Sequence, residues 1–187
     1  MMNTPAFYLL LLLASCASFS AYSNTHNAIS IEYRHSFYDS GEIIDGRANG
    51  AQFTYYYQLL EGTSIYAGWS YDAIEHKSHL SLEGIDKTGY SLGLTLTRDY
   101  ACIQAGLYGG LTYKHYEFDV DESDEPKDFG HEWGYELGGI VMRPLSENIH
   151  VMSRLGYESS QDDVYITDSR QEVDDNYLFS LGVLYKF

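Results

Sequence analysis

The sequence predicts an all-β protein, an eight-stranded antiparallel up-and-down transmembrane β-barrel, and three observations carry the prediction. Eight segments of about ten residues alternate apolar and polar side chains with a period of two, the repeat of a strand with one apolar face. The connections between them alternate short and long. Ionised residues sit on only one face of each segment, as a bilayer outside and a closed interior require.

Composition agrees. The 187 residues hold 19 tyrosines and 17 glycines but only 3 prolines, a balance that suits antiparallel strands. The formal net charge of −16 leaves no basic stripe for phosphate backbones, so no nucleic-acid partner is expected.

Residues 1–23 read as a secretory signal peptide, with an apolar run from Ala6 to Ala14 that is too short to span a bilayer as a helix. Their first residues lack Lys and Arg. Small residues at Ala21 and Ser23 suit cleavage after Ser23, which leaves residues 24–187 as the barrel domain. Leu13-Ala14-Ser15-Cys16 also has the form of a bacterial lipobox, and lipidation of Cys16 stays open as the alternative. Once the leader is removed after Ser23, Cys102 is the remaining cysteine; no internal disulfide is expected, and its thiol is expected to be a small packed residue.

The first strand, AISIEYRHSFY, sets Ile29, Ile31, Tyr33, His35 and Phe37 against Ser30, Glu32, Arg34 and Ser36. The second sets Ala51, Phe53, Tyr55, Tyr57 and Leu59 against Gln52, Thr54, Tyr56 and Gln58, and a tight turn follows at Glu61-Gly62-Thr63. The third opposes Ile65, Ala67, Trp69 and Tyr71 to Tyr66, Gly68, Ser70 and Asp72. The fourth opposes Tyr90, Leu92, Leu94 and Leu96 to Ser91, Gly93, Thr95 and Thr97, with a short turn expected at Arg98-Asp99.

In the fifth, Ile103, Ala105, Leu107, Leu111 and Tyr113 face away from Gln104, Tyr108, Thr112 and Lys114. The sixth sets Trp133, Tyr135, Leu137 and Val141 against Glu136, Ile140 and Met142, and Pro144 to Asn148 form the third short turn. The seventh separates Ile149, Val151, Leu155 and Tyr157 from His150, Met152, Arg154 and Glu158. The eighth, NYLFSLGVLYKF, separates Tyr177, Phe179, Leu181, Val183, Tyr185 and Phe187 from Leu178, Ser180, Gly182, Leu184 and Lys186. Four longer polar loops fall at about 39–48, 72–89, 118–131 and 159–176.

Glu32, Arg34, Lys114, Glu136, Arg154 and Glu158 share the polar face. An Arg or Lys facing hydrocarbon at the bilayer midplane costs roughly 2–4 kcal/mol, so all six are expected inside. Eight strands leave an interior only wide enough for side chains, and these charges are expected to pair as a lumen network, with glycines such as Gly68, Gly93, Gly110, Gly138 and Gly156 making room.

On these features residues 27–187 resemble the small eight-stranded outer-membrane barrels of the OmpA/OmpX type in Gram-negative bacteria. Phe187, with Tyr185, Val183 and Leu181 at alternate positions behind it, is similar to the terminal signal that the barrel-assembly machinery reads. The resemblance implies residence in the bacterial outer membrane, contact with its lipid and lipopolysaccharide, and a monomer.

For activity the fold is permissive. The third loop carries Asp119, Asp121, Glu122, Asp124, Glu125 and Asp128, and the fourth Asp162, Asp163, Asp168, Glu172, Asp174 and Asp175. They lack the spacing of an EF-hand, so no metal site and no cofactor are expected, and a solvated acidic surface offered to a host or cell-surface ligand is the reading. His79-Leu80-Ser81 with Glu83, and His35-Ser36, superficially resemble the His and Ser of lipid A deacylases. SIEYRHSF has a short likeness to oligogalacturonate porins, which have more strands than this length allows. The sequence is therefore read as a non-enzymatic barrel with a structural or adhesion-type role, without catalytic residues; a lipid A-modifying barrel enzyme and a narrow porin-like channel are the alternatives.

Overall fold

Alternating burial runs the length of the strands: in β1 (Asn27–Tyr38), Ala28, Ser30, Glu32, Arg34, Ser36 and Tyr38 are buried while Ile29, Ile31, Tyr33 and Phe37 are exposed. The computed structural model describes residues 27–38, 44–76, 82–120, 127–160, 163–166, 169–172 and 175–187. The leader, Cys16, His79, Ser81 and most of the acidic residues of the third and fourth loops lie outside the described residues.

After β1 come β2 (Ile44–Leu60), β3 (Thr63–His76), β4 (Leu82–Tyr100), β5 (Ile103–Val120), β6 (Lys127–Pro144) and β7 (Ile149–Ser160). A small hairpin, β8 (Asp163–Ile166) and β9 (Ser169–Glu172), interrupts the last long connection before β10 (Asp175–Lys186). Apart from that hairpin, eight antiparallel strands pair in the order β1-β10-β7-β6-β5-β4-β3-β2 and close on themselves. Following paired residues once around, from Tyr185 through Ile29, Tyr55, Ala67, Leu92, Leu111, Tyr135 and Ser159, ends on Asp175, ten residues from the start. That stagger tilts the strands and fixes which side chains share a level inside.

Two turns depend on backbone conformation. Gly62 has φ +73, and a β-carbon there would collide with the Thr97 carbonyl, whose own N–H donates to Gly62 O at 2.6 Å. The second turn is Ala101-Cys102 rather than the expected Arg98-Asp99, because Arg98 and Tyr100 still pair with Ala105 and Ile103. Ala101 takes φ +47, a left-handed value that disfavours a side chain. Cys102 is exposed at the turn, not packed as expected, since the strand continues past the point where charged residues suggested its end.

The strands also outrun their expected ends at the loop side. Asp72–His76 and Leu82–Gly89, read as one loop from their polarity, continue β3 and β4. Polar residues suit these strand extensions because alternate positions face a polar interior.

Outside, Leu92, Leu94, Leu107, Leu111, Leu137, Leu155, Leu181 and Val183 form an exposed apolar belt. Aromatic contacts flank it: Tyr113 lies 4.9 Å from Trp133, Tyr157 lies 5.8 Å from Tyr177, and Tyr185 stacks on Phe187 at 6.1 Å. A belt so exposed, between aromatic girdles, is the outer surface of a barrel made for lipid.

Candidate functional site: the charged lumen

The interior is built in tiers, and the tier nearest the loop end centres on Glu158. Its carboxylate meets Lys87 Nζ at 2.5 Å, Lys114 Nζ at 3.1 Å and Arg34 Nη2 at 3.4 Å, cations delivered by β4, β5 and β1. Asn176 donates to it at 3.4 Å from β10. Arg34 also pairs with Asp72 at 3.2 Å and donates to Gln52 at 2.7 Å, while Lys114 donates to Ser70 at 3.2 Å. Lys87 is flanked by the rings of Tyr38 and Tyr116, 5.4 and 5.8 Å away, which shields its ammonium from the mouth.

The next tier centres on Glu32. Arg154 donates through Nε at 2.8 Å, and Ser30 and Ser180 donate at 2.8 and 2.7 Å. The guanidinium lies 5.1 Å from the Tyr108 ring centre. Glu136 accepts from Tyr66 Oη at 2.7 Å, a neutral partner rather than a cation.

Towards the turn end the tiers become apolar: Ala28, Tyr56, Tyr66, Tyr108, Ile140, Met142, Met152 and Leu184 form one buried cluster. Glycines admit two of its three large rings, Tyr66 and Tyr108. A β-carbon on Gly93 or Gly110 would stand 2.6 Å from Tyr66 Oη, and one on Gly156 would overlap Tyr108 Oη. Below this floor a cavity of about 670 Å³ opens at the turn end, walled by polar side chains that include Gln58, Ser64, Thr97, Gln104 and Lys186.

All six residues assigned from sequence to the lumen point inward and are no more than 2% exposed. The structure brings Arg34, Lys114 and Glu158 to one point and Glu32 and Arg154 to another. Sequence reasoning missed Asp72, Lys87 and Glu132 as interior charges, all at most 5% exposed. Asp72 was placed on the polar face of the third strand but also at the start of a loop. Continuing the period of two from Gly89 to Lys87, and from Gly134 to Glu132, is the signal that identifies the other two. With them, the buried charges among the described residues are four cations and five carboxylates, close to balance in a chain of net −16.

The other candidates separate. His35 faces outward and Ser36 inward, fully buried, so adjacent strand positions cannot act as base and nucleophile. Among the described residues no group of three or more His, Cys, Asp or Glu side chains is placed to hold a metal ion. Leu181, Val183 and Tyr185 lie on the outward side of the closing strand, and Phe187, just past its end, stacks on Tyr185 while its N–H donates to Asn27 O at 2.9 Å.

No protein-family model and no curated protein sequence matches this chain. Solved structures do match. Neisserial surface protein A superimposes with a TM-score of 0.68 at 13% identity, over 87% of this chain and 98% of that one. The outer membrane protein OprG of Pseudomonas aeruginosa gives 0.60 at 14%, over 87% and 96%. Ail, the attachment invasion locus protein of Yersinia pestis, gives 0.57 at 15%, over 88% and 100%. At these identities the likeness establishes the fold: this chain is built as a small eight-stranded outer-membrane β-barrel.

Proposed function

We propose that the protein is a plugged, non-enzymatic barrel of the outer membrane that reinforces the membrane and offers its acidic loops to a partner. The observation that carries this reading is the pair of charged tiers around Glu158 and Glu32, stacked on the apolar floor of Ile140, Met142, Met152 and Leu184. Each tier reaches across the lumen from several strands, and the apolar tier offers a permeating ion no replacement for its hydration shell. The opposed directions of His35 and Ser36 weigh against a deacylase built on that pair.

The loops favour a basic ligand. Ail of Yersinia pestis has been crystallised with the heparin analogue sucrose octasulfate; a chain of net −16 with carboxylate-rich loops is suited to the opposite charge. The outward row Leu181, Val183 and Tyr185 on β10, with Phe187 just past its end, is, in this reading, what the assembly machinery recognises. Planar-bilayer recording tests the core of the proposal: the refolded barrel is expected to leave the membrane electrically silent, and steady unitary steps from a homogeneous preparation would overturn the plug.

A further inference from the structure

The cavity at the turn end has a floor and a collar of different chemistry. Its floor, Ala28, Tyr56, Ile140, Met142 and Leu184, is sealed, with no residue more than 7% exposed. Its collar is polar, with Gln58 from β2, Ser64 from β3, Thr97 from β4, Gln104 from β5 and Lys186 from β10. Lys186 Nζ donates to Gln104 Oε1 at 3.3 Å, reaching across the mouth past β7 and β6, which separate the two strands in the ladder. Gln104 Nε2 donates in turn to Asp99 Oδ1 at 2.6 Å, so both ends of that carboxamide are fixed.

Lys186 is held ready for an anion. Its backbone N–H donates to Asn148 O at 2.8 Å, and Asn148 Nδ2 donates to Lys186 O at 2.9 Å. That clamp fixes where the side chain starts. The half-buried ammonium is met by a neutral carboxamide oxygen, at the long end of the hydrogen-bond range. A carboxylate in that place makes a charge-assisted bond, which is about twice as strong. Gln58, Ser64 and Thr97 add amide and hydroxyl groups that both donate and accept, as a run of hydroxyls requires. An alkyl chain gains little here, because the floor is already out of water and hydrophobic stabilisation scales with the area removed from it.

We infer that the turn-end cavity is a binding site for a small polyhydroxylated carboxylic acid, of the size and chemistry of a monosaccharide acid. Its carboxylate takes Lys186 Nζ from Gln104, and the freed Gln104 oxygen accepts from a ring hydroxyl. Gln58, Ser64 and Thr97 bond the remaining hydroxyls, and the less polar edge of the ring lies on Met142 and Leu184. A volume of about 670 Å³ is within the usual range for small-molecule sites. The sealed floor stops the solute there, so the site binds and does not conduct. Failure of the plug and failure of this site are separate results: conductance reports on the charged tiers and the floor, and titration reports on the collar.

Ligand-observed NMR titration of the refolded barrel in neutral detergent tests it with D-glucuronate, D-glucose and acetate, which separate the carboxylate from the hydroxyls. Glucuronate is expected to bind about tenfold more tightly than either of the others, the scale of one charge-assisted contact. Lys186→Met should remove that factor, and Gln104→Glu should do the same by pairing Lys186 with a carboxylate of the protein itself. Arg143→Gln, which removes an exposed positive charge near the turn end but outside the cavity, should leave it unchanged. Heat-modifiable migration checks folding of every variant, and Lys186→Gln replaces Lys186→Met if the latter does not fold.

Glucuronate bound no more tightly than glucose or acetate overturns the site, as does the absence of binding by all three. Equal losses in Lys186→Met and Arg143→Gln reduce it to nonspecific charge.

Discussion

Glu158→Gln keeps the shape of the side chain and removes the charge that three cations share. Lys87, Lys114 and Arg34 lie 2.5–3.4 Å from that carboxylate, and both lysines and the carboxylate are at most 3% exposed at the side chain. Breaking one buried ion pair by deleting a partner costs about 3–5 kcal/mol, mainly because the remaining charge stays buried without compensation. Arg34 retains Asp72 at 3.2 Å, which offsets part of the loss. The net expectation is a loss of about 4 kcal/mol.

With an m-value of about 2 kcal/mol/M, the urea midpoint of the barrel in lipid vesicles should fall by about 2 M. Two companions sharpen the measurement. Glu147→Gln, at an exposed turn position, should stay within about 0.5 kcal/mol of the parent. The double change Lys87→Met with Glu158→Gln should be less destabilised than Glu158→Gln alone, because it removes one of the stranded cations. If Glu158→Gln unfolds within about 1 kcal/mol of the parent, the carboxylate is not the hub of the plug and the reasoning fails.

Other outcomes follow from single contacts. Gly156→Ala should destabilise by about 1–3 kcal/mol, the range for overpacking, because its β-carbon meets Tyr108 Oη; Tyr108→Phe should recover much of that in the same denaturation assay. Ala101→Gly should stabilise the barrel by about 1 kcal/mol, since φ +47 penalises a side chain, whereas Gly62→Ala at φ +73 should destabilise by at least that much. Cys102 is exposed at a turn on the end opposite the long loops, so an impermeant maleimide should label it readily from that side of a sealed membrane and fail from the other. Labelling from the loop side would invert the topology.

A period of two was enough to sort the side chains. Ile31, Leu94, Leu107 and Val183 are apolar where Glu32, Arg154 and Glu158 are ionised, and only one assignment of faces keeps charge out of hydrocarbon. Strand number and the alternation of short and long connections were equally local, because each strand carries its own pattern. Strand ends were less legible. Asp72 and Lys87 lie in stretches polar enough to read as loop, and nothing local distinguishes a water-exposed strand from a loop when its inward neighbours are also polar.

Partners across the lumen belong to the tertiary structure alone. Glu158 meets Lys87 from 71 residues away and Arg34 from 124 residues away, and Arg154 meets Glu32 across 122. Those meetings follow from closure: the ten-residue stagger accumulated around eight strands decides which level each inward side chain occupies. Alternation along one strand carries no information about the others' heights. It tells every charge to turn inward, and the closed ladder of hydrogen bonds, a property of all eight strands together, decides which charge it finds there.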